Sequence, residues 1–361
     1  MTPVLAIHHR PRSFSERWIE FCDERGIPYM RVDCFDSDIV SRVRSCAALV
    51  WHWSHQEAGE QQMARQVTVA AESMGLVVFP STATAWHFDD KVAQKYLLEA
   101  AGAPLVPTHV SYDLDAALRW IDTAEFPKVF KLRRGAGSAN VRLVRTRDEA
   151  RALARRAFGR GFSPVAGYAA DAGKRYRAAR QQRDWLGVLR RAPSTLRNIR
   201  SMRQGLGRER GYVYFQDFMP ANTFDTRVTV IGNRAFAFRR NVRPGDFRAS
   251  GSGDLCHDPG RIHPGCVEIA FSVARRIRSQ SAAFDFVFDP DQRPRIVEVS
   301  YCYVAKLIYQ CPGHWDESLH WHDGPMWPQD AILIDVLDSL PERRPVAERW
   351  GEAAPVSRTM Q

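Results

Sequence analysis

Small residues, a lysine and a pair of carboxylates are the groups in this sequence whose spacing could serve phosphate chemistry. Arg133-Arg134-Gly135-Ala136-Gly137-Ser138-Ala139-Asn140 is a glycine-rich turn between two strand-like segments. Small residues there let consecutive backbone N–H groups converge on an anionic oxygen. Lys131, just before the turn, could bring an ammonium to the same anion. Taken alone, the run is equally a plain hairpin turn. Asp285 and Glu298 form a second candidate. Two carboxylates on adjacent strands can hold Mg2+ and leave its other positions to phosphate oxygens and water, although salt-bridged acids would read the same way. Cys256-His257, His263 and Cys266 offer four zinc-type donors, with a spacing foreign to the common zinc modules. The sequence offers no nucleophilic residue for a covalent intermediate.

The elements that must position these groups fall into two halves. Over the first 80 residues, strand signals at 4–7, 29–32, 47–51 and 76–79 alternate with helical stretches at 14–25 and 56–74. This pattern predicts a small parallel sheet covered by helices. No G-x-G-x-x-G follows the first strand, so a dinucleotide fold is not supported. A helix over 89–101 ends at Gly102, and Pro104 and Pro107 force an extended exit. Beyond it come a helix at 114–121 and strands at 128–132, 141–144, 212–218, 227–231 and 235–239, the last two joined by Gly232-Asn233. A helix at 266–279 precedes strands at 285–288 and 296–299. Hairpin-built antiparallel strands make this second half α+β.

Composition narrows the class. With 361 residues, 45% hydrophobic and 25% charged, the chain has the makeup of a globular protein of two or three domains. No apolar run reaches the roughly 18 to 20 residues that a bilayer span needs, and no leader is evident, so a cytoplasmic location is expected. Seven scattered cysteines point to reduced thiols rather than a disulfide framework. The net charge of +10 is unevenly spread: residues 151–210 hold sixteen Lys and Arg against three acids, a balance of +13 that leaves the remainder at −3. Two amphipathic helices are expected in that segment, the second with Leu196, Ile199, Met202 and Leu206 on one side. Such a charge suits an acidic polymer or anionic surface, or simply solvated helices. Aromatic residues for base stacking are sparse there, which argues against specific nucleic-acid readout.

Read in order, several pieces resemble the ATP-grasp superfamily. They are Asp90-Lys91 opening a helix that ends in Ala101-Gly102-Ala103-Pro104, Phe126-Pro127-Lys128-Val129-Phe130-Lys131 before the glycine turn, and the strand at 212–218. Asp225-Thr226-Arg227, Asp246-Phe247-Arg248-Ala249-Ser250 and Ile296-Val297-Glu298-Val299-Ser300 follow. The D-x-R and D-F-R pieces resemble its RimK-like carboxylate-amine ligase branch. The resemblance covers about 85–300 without the basic segment, and the preceding sheet is similar to the family's N-terminal domain.

It implies an α/β and α+β chain with an ATP-grasp fold: an N-terminal parallel α/β domain (1–84), then two α+β lobes clasping ATP (85–150 and 211–312). A basic helical insertion (151–210) and a C-terminal aromatic segment and tail (313–361) complete it. Lys91 and Lys131 would contact ATP phosphates, with Gly135, Gly137 and Ser138 in the loop closing over them. Gln216, Asp217, Phe218 and Met219 would meet the adenine, and Asn222 or Asp225 the ribose. Asp285, Glu298 and Ser300 would bind Mg2+, with Mn2+ able to replace it; Ser300 stands where the family usually has Asn, which puts a second metal in doubt. Arg227 and Arg240 would act on the phosphoryl group or the substrate carboxylate, with structural salt bridges as their alternative role, and Arg248 and Ser250 are counted with them. The activity implied is an ADP-forming ligase that activates a small-molecule or peptide carboxylate as an acyl phosphate and joins it to an amine. The alternatives are a phosphotransferase on a hydroxyl, or a non-catalytic ATP-binding protein that binds anionic surfaces.

Overall fold

The computed structural model describes residues 3–54, 58–135, 140–163, 207–243, 245–249, 251 and 253–340. Gly137, Ser138, Ser250 and the expected amphipathic helices of the basic segment lie outside them.

Leu5–His8 (β1) is buried at every position, so it needs cover on both faces, the situation of a parallel strand between helices. It pairs in parallel with β2 (Tyr29–Val32) and β3 (Ala48–Val50), and β3 pairs with β4 (Val77–Phe79). The crossovers are α1 (Phe14–Arg25), α2 (Ile39–Val43) and α3 (Ala58–Ser73). Gly26 ends α1 in the left-handed conformation, φ 63°, where a Cβ would be strained.

After α4 (Thr82–Ala85), Asp90 caps α5 (Lys91–Ala100) by accepting from the N–H groups of Val92 and Ala93. That cap fixes Lys91 as the first helical residue. A four-stranded antiparallel sheet follows, built from β5 (Thr108–Ser111), β6 (Lys128–Lys131), β7 (Val141–Val144) and β8 (Val213–Asp217) in the order β5-β8-β6-β7. Two helices, α6 (Leu114–Thr123) and α7 (Arg147–Phe158), cover one face, burying Ile121, Leu153 and Ala154 with Phe130 and Phe215. The limit expected at Arg151 thus falls inside α7, so the basic segment opens on a packed lobe helix. Phe162 and Glu209 pair through two backbone hydrogen bonds, of 2.8 and 3.0 Å, which bring the ends of the segment together.

The larger sheet holds seven strands. β9 (Phe224–Ile231) and β10 (Arg234–Asn241) form a hairpin; β11 (Leu255–Cys256) adds to β10, and β12 (Ser281–Phe288) and β13 (Pro294–Ser300) continue from β9. Helix α8 (Pro264–Arg276) packs Val267, Ala270 and Phe271 against one face of this sheet. β12 begins four residues earlier than expected, because the small residues Ser281 to Ala283 pair directly with β9.

Residues 313–340 serve the fold. After α9 (Ala305–Tyr309), β14 (Gly313–Trp315) and β15 (Trp321–Asp323) extend the seven-stranded sheet beyond β10. Helix α10 (Pro328–Asp338) lies between that sheet and the parallel one, its Ile332, Leu333 and Val336 sharing a core with Leu5, Ile7, Trp18, Phe236 and Phe238. Arg17 reaches Asp330 at 2.7 Å and Trp18 Nε1 donates to the Gln329 carbonyl at 3.0 Å. The aromatic residues of this segment pack on one another and on the body: Trp327 stacks on Tyr309, and Trp315 meets Trp321 edge-on. Among the described residues, no helix is long and apolar enough to cross a membrane.

Candidate active site

A cleft of about 1020 Å3 opens between the two antiparallel sheets. Of the eighteen residues that the resemblance assigns to ATP, metal or substrate, fifteen line it, and the other three, Gly137, Ser138 and Ser250, lie outside the described residues. Residues separated by two hundred positions in the chain therefore converge on one space.

The smaller sheet and α5 supply two buried lysines, each 4% exposed. Lys91 Nζ donates to the Gly135 carbonyl at 2.8 Å and sits 3.1 Å from a Glu298 oxygen. Burial opposes its charge most strongly, yet Glu298 and Asp89 outweigh burial and hold its pKa above the usual lysine value. Lys131, at the end of β6, donates to Gln216 Oε1 at 2.5 Å. Burial pushes its pKa down to about 8, with Lys91 adding to the effect and Glu298 and Asp285 opposing it.

The larger sheet supplies a lattice of charges set by strand register. Arg240 faces Asp225 across β9 and β10, while Asp285 faces Arg227 on one side and Glu298 on the other. Arg227 grips Asp285 with Nε and Nη2, at 2.7 and 2.8 Å. Arg240 grips Asp225 through two contacts of 2.7 Å, and its Nη2 also reaches Asp285 Oδ2 at 2.8 Å. Burial alone would favour the neutral acid at Asp285, but the two guanidiniums outweigh it and keep the carboxyl far below its ordinary range.

Asn222 is a brace: its amide donates to the Phe288 carbonyl and accepts from the Phe288 N–H. Asp217 pairs with Lys128 at 2.6 Å, and Phe218 packs edge-on against Phe247. Arg248 is bound to Asp246, whose carboxyl it lowers by hydrogen bonding.

The donor set fits one divalent cation. Asp285 Oδ1 receives one N–H and Oδ2 two, so a carboxylate with about four acceptor positions retains one. Glu298 stands opposite on β13. A pair of carboxylates suits Mg2+, which takes one or two of them and completes its shell with phosphate and water. The Ser300 hydroxyl accepts from the Cys302 N–H and donates to its carbonyl. The zinc-type cluster is put to other uses: His263 caps α8, and Cys266 is in the core behind it.

Three contributors, Asp89, Val304 and Leu307, carry no motif in the sequence. Asp89, left-handed at φ 51°, accepts from the Gly135 N–H at 2.9 Å and so fixes the base of the glycine turn; the Asp89-Asp90 doublet was its signal. Val304 and Leu307 also line the cleft, from a stretch with no motif of its own.

No family model matches the sequence, and no curated protein matches it. Solved structures do. A RimK-domain ATP-grasp protein from Sphaerobacter thermophilus is 17% identical, with 92% of this chain matched to 98% of that one at a TM-score of 0.54. A D-cycloserine synthetase is 16% identical over 93% and 99% of the two chains, also at 0.54. The biotin carboxylase domain of the Hydrogenobacter thermophilus 2-oxoglutarate carboxylase, in complex with MgADP and bicarbonate, is 12% identical over 92% and 69%, again at 0.54. Likeness of that extent at so low an identity speaks to architecture rather than reaction, and the architecture is plain: this chain has the ATP-grasp fold.

Proposed function

We propose that the protein is an ATP-dependent, ADP-forming ligase of the RimK-like kind, joining a small-molecule or peptide carboxylate to an amine with the help of Mg2+. The observation that carries this reading is the opposition of Lys91 and Lys131 on one wall of the cleft to Asp285, Glu298, Arg227 and Arg240 on the other. Its solved neighbours include a D-cycloserine synthetase and a domain complexed with MgADP.

In this reading the lysines bind the phosphates, Lys131 finding in them the counter-charge that Gln216 does not provide. Residues 216–219 receive the adenine. Asp285 and Glu298 hold Mg2+, which when bound offsets charge on the transferring phosphoryl group. Arg227 and Arg240, fixed by Asp285 and Asp225, present guanidinium edges to the substrate carboxylate. An oxygen of that carboxylate attacks the γ-phosphorus, the bond to the bridging oxygen breaks, and ADP leaves. The amine nitrogen then attacks the acyl carbon; the C–O bond breaks, inorganic phosphate departs and the nitrogen loses its proton to solvent. The chain's contribution is orientation and charge placement away from water.

Hydroxylamine as the amine makes this testable, since it converts an acyl phosphate to a coloured hydroxamate. ADP and hydroxamate appearing together, and only with a carboxylate present, support the reading. A stable phosphorylated alcohol would replace it with phosphotransfer, and nucleotide binding without turnover would reduce the protein to a nucleotide-binding one.

A further inference from the structure

The lining of the cleft includes apolar side chains that phosphate chemistry does not account for. They are Val304, Leu307 and Leu255. Val304 is 59% exposed, and the two leucines are half-buried. Apolar surface left open inside a cleft is what a ligand's apolar part would cover, because ligand pockets are mainly apolar with a few convergent polar groups.

The charges around them are distributed in a telling way. Arg227 and Arg240 line the same cleft, and Leu255 faces Arg240 across β10 and β11, so a carboxylate is welcome beside the apolar residues. Arg248 is engaged by Asp246 through contacts of 2.9 and 2.8 Å, and Asp246 itself lines the cleft. Arg243, exposed at the rim, donates to the Gly251 carbonyl. Arg243 and Arg248 thus lie with Asp246 on the polar part of the lining, whereas a group seated against Val304, Leu307 and Leu255 would meet hydrocarbon.

Resting on the ligase reading above, we propose that the carboxylate substrate carries an apolar side group, aliphatic or aromatic, seated against Val304, Leu307 and Leu255, and that Val304 determines specificity. Val304 suits this role because it is held by little else: it is the residue before α9, and its side chain makes no cap hydrogen bond. Aspartate at such a position is a favourable cap, so Val304→Asp is expected to fold while placing a negative charge in the apolar space.

The test is a panel of acids, hexanoate and phenylacetate against succinate and L-glutamate, read as hydroxamate formation and, independently of turnover, as ligand-observed NMR binding to the full chain with ATP present. Wild type should prefer the apolar acids by about tenfold or more in kcat/KM, the scale on which a hydrophobic pocket discriminates. Val304→Asp should erase that preference while ATP affinity by calorimetry stays unchanged. A tripeptide ending in phenylalanine, run in parallel, tells a free acid from a peptide terminus; acceptance of either supports the proposal. Binding of the apolar acids that Val304→Asp abolishes, without turnover of any acid, supports the proposal and counts against the ligase reading alone. Preference for succinate or glutamate, or indifference to Val304→Asp, overturns it.

Discussion

The two walls of the cleft handle charge in opposite ways. On the seven-stranded sheet, Asp225, Arg227, Arg240 and Asp285 form a set of two acids and two bases joined by contacts of 2.7 to 2.8 Å. On the four-stranded sheet, Lys131 is as buried as Arg240, both being 4% exposed, yet its ammonium meets an amide oxygen. Arg240 is held by Asp225 and Asp285 without any ligand. Lys131 carries a charge that its surroundings disfavour, and a polyanion would relieve it. One wall is a preorganised frame, and the other is poised for what enters.

The strongest way to break this contrast is Asp285→Asn. It leaves the buried Arg240 and the half-buried Arg227 beside one acid fewer, and removing one partner of a buried ion pair typically lowers stability by about 3–5 kcal/mol. The denaturation midpoint should fall at an unchanged m-value, and hydroxamate formation should vanish. A midpoint close to wild type would mean that the arginines find another partner, such as Glu298, and that the four residues are not a closed set.

Lys131→Met should do the reverse. ATP affinity should drop about tenfold or more, the equivalent of a charge-assisted hydrogen bond, while stability at pH 7 holds or rises. The pKa of Lys131 in the fold, about 8, lies below its ordinary 10.5. Between those values the unfolded chain holds a proton that the fold has shed, so stability rises with pH across the window; below pH 8 both states are charged and the fold bears the full penalty. Methionine removes that penalty. By the same linkage, ATP binding near pH 8.5 should take up a proton, visible as a dependence of calorimetric enthalpy on the buffer's ionisation heat. A destabilised Lys131→Met, or ATP binding without proton uptake, would show that Lys131 is a settled member of the fold.

Part of the charge lattice was open to reading from the chain. A two-residue turn at Gly232-Asn233 fixes the hairpin register, so Arg240 must face Asp225. The facing of Asp285 and Glu298 was not derivable by counting, because the β12–β13 register shifts between Asp285 and Phe286 and no local pattern announces a bulge. Lys91 and Lys131 were visible through their neighbours, a capped helix start and a strand end. Helix α10 left no amphipathic stripe, since a helix wedged between two sheets is apolar on more than one side. The outward wall at Val304 was hidden for the opposite reason: a single exposed valine has no periodicity to detect.

The mildest probe of the contrast is Ser300→Asn, on the frame side. The Ser300 hydroxyl is already committed to a turn with Cys302, accepting at 3.2 Å and donating at 3.1 Å, so it is poorly placed to serve a metal directly. Asparagine can close the same kind of turn with its side chain, or it can turn its amide oxygen toward Glu298, offering Mg2+ a better ligand. Either course leaves the arginine lattice untouched. Turnover should therefore stay within about threefold of wild type, a change of less than 1 kcal/mol in barrier, and the Mg2+ concentration giving half-maximal rate should stay level or fall. A loss beyond tenfold would mean that the turn itself sets the position of Glu298, and that the frame extends along β13 past the four charged residues.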